Sequence, residues 1–135
     1  MRIFLLDDEI DVYPRVQLRH ILEPTHDVTV ARSCPNAIET FTGLYDLLML
    51  DHDMEGFYEY REDYPNTGIA FVTWLVEHVE EFFVGQERPD VILHSQNPVG
   101  RERMRRLLED HGFVVTECPF SSDYVKQLRE QFGGA

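Results

Sequence analysis

Residues 47–53 read Leu47-Leu48-Met49-Leu50-Asp51-His52-Asp53, four consecutive apolar side chains that stop at two acids flanking a histidine. A short, unbroken apolar run fits a strand buried on both faces of a parallel sheet, because a half-exposed strand alternates. The same pattern opens the chain, where Ile3-Phe4-Leu5-Leu6 runs into Asp7-Asp8-Glu9. Two interior strands therefore deliver carboxylates from the same end. That repetition decides the fold and shows where to look for chemistry.

The segments around these runs complete a β-α-β series. Val16, Leu18, Ile21 and Leu22 give an approximate helical face between Pro14, which suits a first turn, and Pro24, which stops it. Residues 27–31 alternate as an edge strand does, and Pro35 opens a short helix through about Phe41. Val72, Leu75, Val76, Val79, Phe82 and Phe83 predict one long amphipathic helix, terminated by Gly85. Residues 90–93, Asp-Val-Ile-Leu, predict a fourth strand. Residues 100–111 form a helix with Met104, Leu107 and Leu108 inward and Gly112 behind it, and residues 113–116 form a fifth strand. After Pro119, Tyr124, Val125, Leu128 and Phe132 recur at helical spacing. Five apolar strands separated by helices predict a parallel sheet covered on both faces.

A chain of 135 residues, 43% hydrophobic, accommodates one domain with one core. Six Tyr, nine Phe and one Trp argue against disorder despite the formal charge of −13. Twenty-five acids against twelve bases disfavour duplex DNA and anionic membranes as partners, and favour cations or basic partners. Cys34 and Cys118 lack metal-ligand spacing and read as reduced thiols. In MRIFLLDDE the apolar stretch of four residues meets three acids at once, which predicts neither a signal peptide nor a membrane span, and so a cytoplasmic location.

Ligands of open α/β sheets bind beyond the carboxyl ends of the strands, where Asp7, Asp8, Glu9, Asp51 and Asp53 fall. Each acid taken singly reads as a solvated loop residue. Crowded together, they repel one another, and a cation relieves the repulsion. Oxygen ligands without Cys or a His pair at ligand spacing select a hard ion, Mg²⁺ (or Mn²⁺).

Over roughly residues 1–119 these motifs resemble the receiver domain of two-component response regulators. The acid pair matches as Asp7-Asp8, or as Asp8-Glu9 with the register slipped by one. Asp51, in LLMLDHDM (47–54), matches the phospho-accepting aspartate, and Asp53 the position whose backbone carbonyl helps to hold Mg²⁺. Ser95 matches the switch serine or threonine. The resemblance implies a flavodoxin-like, three-layer α/β fold, with a five-stranded parallel sheet in the order 2-1-3-4-5 and helices on both faces. Residues 120–135 would add a C-terminal helix and frayed tail to the same domain. One family residue is absent: receivers carry a phosphoryl-contacting lysine before a proline at the end of the fifth strand. Here TECPF (116–120) puts Cys118 in that place, with Glu117 beside it. The stretch 55–67 is also longer than the family's usual loop.

LDDE (6–9), LDHDM (50–54), TG (67–68) with FVTWL (71–75), and HSQNPVG (94–100) followed by RERM (101–104) are similar to a narrower group, the cyclic-phosphate-processing receiver-like domains. That likeness implies a metal-dependent phosphoesterase, a phosphodiesterase or cyclic-phosphate hydrolase acting on a small molecule or an RNA 2′,3′-cyclic end. The alternative is a stand-alone divergent receiver that signals through a protein partner, with Asp51 as phosphoacceptor.

Within this frame Asp51, His52, Asp53, Ser95 and Asn97 are the candidate catalytic residues. His52 can move protons near neutral pH or be an exposed polar residue at a strand end. Ser95 and Asn97 offer neutral donors, and Asp53 opposite Asn97 can orient an attacking water. His94 reads either as a core histidine with a backbone hydrogen bond or as a phosphate ligand. Arg101, Arg103, Arg105 and Arg106 hold four of twelve bases within six residues. Arg101 or Arg103 with the Gly100 backbone can bind a phosphate in the lysine's stead, while Glu102 pairing with Arg105 or Arg106 describes a solvated face. Phe57, Tyr58, Tyr60 and Tyr64 suit stacking on a nucleobase or packing on their own domain. Cys118, beside Glu117, is expected to be inert.

Overall fold

The computed structural model describes residues 1–53 and 66–132. The two apolar runs, β1 (Arg2–Leu6) and β3 (Leu47–Leu50), lie side by side within a five-stranded sheet. Its order is β2 (Asp27–Ala31), β1, β3, β4 (Asp90–Leu93) and β5 (Val115–Glu117), and every pair is parallel. This is the expected 2-1-3-4-5 arrangement.

Alternation along the central strands splits the core in two. Phe4, Leu6, Leu48 and Leu50 face the helices α2 (Cys34–Thr40), α3 (Gly68–Glu77), α4 (Val79–Phe82) and α5 (Pro98–Asp110). Ile3, Leu5, Leu47 and Met49 face α1 (Val16–Leu22) and α6 (Ser122–Phe132). The first layer is bound by aromatic contacts, with the Phe4 ring 5.1 Å from Phe41 and 5.6 Å from Phe71. Both faces of the central strands are thus dry, which is why those strands read as unbroken apolar runs. β2, at the sheet edge, keeps Val28, Thr29 and Val30 half-buried, as its alternation foretold.

Some boundaries differ from the sequence reading. The long helix expected from Val72 to Phe83 starts earlier, at Gly68, and is split at His78, whose backbone (φ −113°, ψ 13°) leaves the helical region. Its start is set by Thr67, whose hydroxyl accepts the Ala70 N–H. The helix expected at 100–111 starts at Pro98, because Asn97 caps it, and it ends before Gly112, whose φ of +88° suits glycine. The fifth strand is 115–117 rather than 113–116. Among the described residues no helix is long and apolar enough to cross a membrane.

Candidate functional site

Strand register assembles the site. Leu6 pairs with Leu50, Leu50 with Leu93, and Leu93 with Glu117. The next residues, Asp7, Asp51, His94 and Cys118, therefore form a row across the carboxyl ends of four strands. Backbone bonds extend the pairing into that row, from Asp51 N to the Leu6 carbonyl (2.9 Å), His94 N to Leu50 (3.1 Å) and Cys118 N to Leu93 (2.9 Å).

Asp7, His94 and Ser95 are completely buried, and Asp51 is 5% exposed. Such acids need charge partners and hydrogen bonds. Arg15, just ahead of α1 and itself 7% exposed, supplies the charge. Its NH1 donates to Asp7 Oδ2 (2.8 Å) and lies 3.3 Å from Asp51 Oδ2. The guanidinium carbon sits 4.5 Å from the centre of the Phe120 ring, a cation–π contact. His94 Nε2 donates to the same Asp7 Oδ2 (2.8 Å), whereas its buried Nδ1 has no partner among the described residues. Asp7 Oδ1 accepts the Glu9 N–H, and Asp51 Oδ1 the His52 N–H. Burial alone would raise the Asp7 pKa. His94, Arg15 and the Glu9 N–H outweigh it and hold the carboxyl below its ordinary value. Burial would likewise lower the Arg15 pKa, but Asp7 and Asp51 raise it, so the guanidinium stays charged.

Asp7, Asp51 and His94 present donor atoms within 4.8 Å of one another, a spacing that suits a metal ion. The imidazole turns the expected all-oxygen set into a mixed one, which suits Mn²⁺ as well as Mg²⁺. Asp8, Glu9, Asp51 and Asp53 line a cavity of about 190 Å³ together with Arg15 and Gln96. Asp8 and Asp51 thus face a common space.

A second cluster borders it. Asp53 Oδ1 bonds His52 Nδ1 (2.9 Å) and accepts from Asn97 Nδ2 (3.2 Å), and these two contacts, His52 first, hold its pKa below the ordinary value. Asn97 also caps α5 by accepting the Gly100 N–H (3.0 Å), and its own N–H bonds Ser95 Oγ (3.1 Å). The Gly100 N–H considered for phosphate is therefore already used. The His52 ring lies on Gly100 so closely that a Cβ there would fall 2.5 Å from the ring. Gly100→Ala is expected to expel the ring from Asp53 at a cost of about 1–2 kcal/mol. Histidine NMR shifts would register the displacement, and an unchanged His52 spectrum would refute this packing.

Three of the four helix arginines are engaged elsewhere. Arg101 bonds Glu117 Oε1 (3.1 Å) and the Ser95 carbonyl (2.6 Å), and Arg105 reaches Glu117 Oε2 (3.2 Å). Arg106 pairs with Glu102 (2.8 Å), and Arg103 is exposed on α5. Sequence reasoning missed Arg15, the cation that does meet the acids. The available signal was the lysine's absence at Cys118, which leaves buried carboxylates needing a positive charge from elsewhere. Gln96 was missed as well; its amide donates to the Phe120 carbonyl (3.0 Å). Burial raises the Cys118 pKa, as an inert thiol requires. Phe57, Tyr58, Tyr60 and Tyr64 lie outside the described residues, but Asp53 and Thr67 on either side form an antiparallel bridge at the cavity.

The family model described as cyclic-phosphate processing Receiver domain matches residues 1–110. No curated protein matches the chain. Among solved structures, the response regulator TrrA of Thermotoga maritima, in complex with Mg²⁺-BeF, is 19% identical with a TM-score of 0.59, over 96% of this chain and 94% of that one. The non-phosphorylated HemR receiver domain of Leptospira biflexa is 15% identical with a TM-score of 0.60, over 99% and 94%. A CheY-like receiver domain protein of Methanospirillum hungatei is 15% identical with a TM-score of 0.54, over 97% and 92%. These likenesses confirm the flavodoxin-like receiver fold.

Proposed function

Because this chain belongs to the cyclic-phosphate processing Receiver domain family, we propose that its acidic pocket holds a divalent ion against a phosphate ester and opens a cyclic phosphate with water. The convergence of Asp7, Asp51 and His94 beside a cavity that Asp8 also lines carries this reading. These residues, with Glu9 and the Asp53 carbonyl, would hold Mg²⁺ or Mn²⁺. Bound there, the ion supplies Lewis-acid polarisation of a phosphoryl oxygen. The Mg²⁺-BeF complex of the Thermotoga maritima protein supports an ion in this fold.

The chain's own groups supply the rest. Asp53, kept ionised by His52 and Asn97 and 62% exposed in its side chain, orients a water at the cavity mouth. His52, bonded to that carboxylate, carries the water's proton to the departing ribose oxygen as the new P–O bond forms and the old one breaks. Ser95 and Asn97 brace this arrangement from the start of α5. The substrate class is a 2′,3′-cyclic phosphate, on a small molecule or an RNA end, in a cytoplasmic setting.

The test is a panel of 2′,3′-cyclic nucleotides with Mg²⁺ or Mn²⁺, read as phosphomonoester formed. Asp51→Asn should remove both turnover and divalent binding, and unchanged binding by titration would count against the metal site. A second reading, signalling through a protein partner with Asp51 as phosphoacceptor, draws on Arg15, which puts a cation where Cys118 provides none. A small phosphodonor with Mg²⁺ should then add one phosphate by intact mass.

A further inference from the structure

We propose that Arg15 is an exchangeable cation: it occupies the divalent ion's place between Asp7 and Asp51, and on the ion's arrival it turns into the adjoining cavity to bind the phosphate. This deepens the reading above and rests on it. A single guanidinium nitrogen, NH1, contacts both Asp7 Oδ2 and Asp51 Oδ2, at 2.8 and 3.3 Å. His94 Nε2 meets the same Asp7 oxygen at 2.8 Å. The atoms that would ligate an ion are therefore those Arg15 already holds. A divalent ion and NH1 cannot share them, since two positive centres would then stand side by side in a nearly dry site.

Arg15 has somewhere to go. It lines the cavity of about 190 Å³ that also contains Asp8, Asp53 and Gln96. Its partner on the other side is the face of Phe120, a contact that tolerates sliding of the guanidinium plane. A planar guanidinium can grip a phosphate with two parallel hydrogen bonds, which suits it to this role. The cation that receivers carry at the end of the fifth strand is replaced here by two parts. The charge comes from the residue before α1, and the loop after β5 contributes only the aromatic platform.

The consequence is coupling. The ion frees Arg15 for phosphate, and phosphate keeps Arg15 off the carboxylates, so each ligand raises the other's affinity by the same factor. Calorimetric titrations of Mg²⁺ alone, inorganic phosphate alone, and each in the presence of the other would measure it. Saturating phosphate should tighten Mg²⁺ binding to the wild-type chain about tenfold. Arg15→Gln should bind Mg²⁺ alone about tenfold more tightly than wild type and show a smaller phosphate effect, the part that the direct contact of ion and phosphate supplies. Phe120→Leu keeps every charge and so covers the case in which Arg15→Gln fails to fold. It should tighten Mg²⁺ about threefold and weaken the coupling.

Mg²⁺ affinity that is unchanged or weaker in folded Arg15→Gln, unchanged in Phe120→Leu, or indifferent to phosphate in the wild type would overturn the exchange. If Mg²⁺ binds none of these proteins, the metal site itself falls, and the proposal with it. If coupling is present but no cyclic nucleotide is opened, the exchange stands and only the catalytic reading fails.

Discussion

Asp7→Ala is expected to lower the unfolding free energy of the metal-free protein by about 3–5 kcal/mol, the usual cost of removing one partner from a buried ion pair. Asp7 is completely buried and accepts from Arg15, His94 and the Glu9 backbone. Without it, Arg15 keeps its longer contact to Asp51 and the face of Phe120, and His94, whose Nδ1 has no partner among the described residues, loses its Nε2 acceptor as well. Against a typical margin of about 5–15 kcal/mol, such a loss leaves many domains near unfolding. Urea denaturation at neutral pH measures it, and a loss under about 1 kcal/mol would refute the network.

The same carboxyl sets an acid dependence. Its folded pKa lies below the ordinary 3.8, so the unfolded chain takes up the proton first as pH falls. Its contribution is therefore complete above about pH 4 and is lost as pH drops through the lower folded value. Urea melts from neutral pH down to about pH 2 should show that decline in the wild type. Asp7→Asn should be less stable at neutral pH and lose less on acidification.

Gly68→Ala is expected to cost about 3 kcal/mol and to weaken Mg²⁺ binding at least about tenfold. A Cβ at this position would lie 2.1 Å from the Asp51 carbonyl oxygen and 2.7 Å from His52 Cα. Both are backbone atoms, so no flexible side chain can move aside. The Gly68 N–H also donates to the His52 carbonyl at 2.7 Å, which pins the start of α3 to the end of β3. Either α3 must lift or the Asp51 backbone must bend, and each displaces a candidate ligand. Thermal unfolding followed by circular dichroism and a Mg²⁺ titration together check this. A melting temperature and affinity matching the wild type would show that α3 does not press on the site.

The sheet was legible because the runs 3–6, 47–50 and 91–93 are short, apolar and bounded, a pattern that suits a doubly covered strand and is too short for a buried helix. The break at His78 was not, because Val76, Val79, Phe82 and Phe83 stay buried or half-buried on both sides of it and carry the apolar spacing through. The early start at Gly68 was readable in part, since Thr67 is a good cap, but Gly-Ile-Ala-Phe carries no charge pattern to mark a first turn. The acids were found because they follow the strands directly. Arg15 was not, because a lone arginine after a proline has no periodicity. Only the pairing of Asp7 with Asp51, and Phe120 beneath, gives it a place. The α5 arginines are conspicuous in sequence, but Glu117, Glu102 and the Ser95 carbonyl engage Arg101, Arg105 and Arg106, contacts that their spacing along the chain does not announce except for the Glu102–Arg106 pair.

The ladder that lines up Asp7, Asp51, His94 and Cys118 also governs how a lineage built on this chain can drift. Inserting or deleting one residue within Leu47–Leu50 would exchange the side chains that face the two helical layers and scramble both, so selection should purge it. Exchanging the amino acid at a row position leaves the strand register in place. Descendants can therefore acquire a different reactivity by substitution along the row while inheriting the same framework, provided that a change at the buried Asp7 is matched at its partners Arg15 and His94.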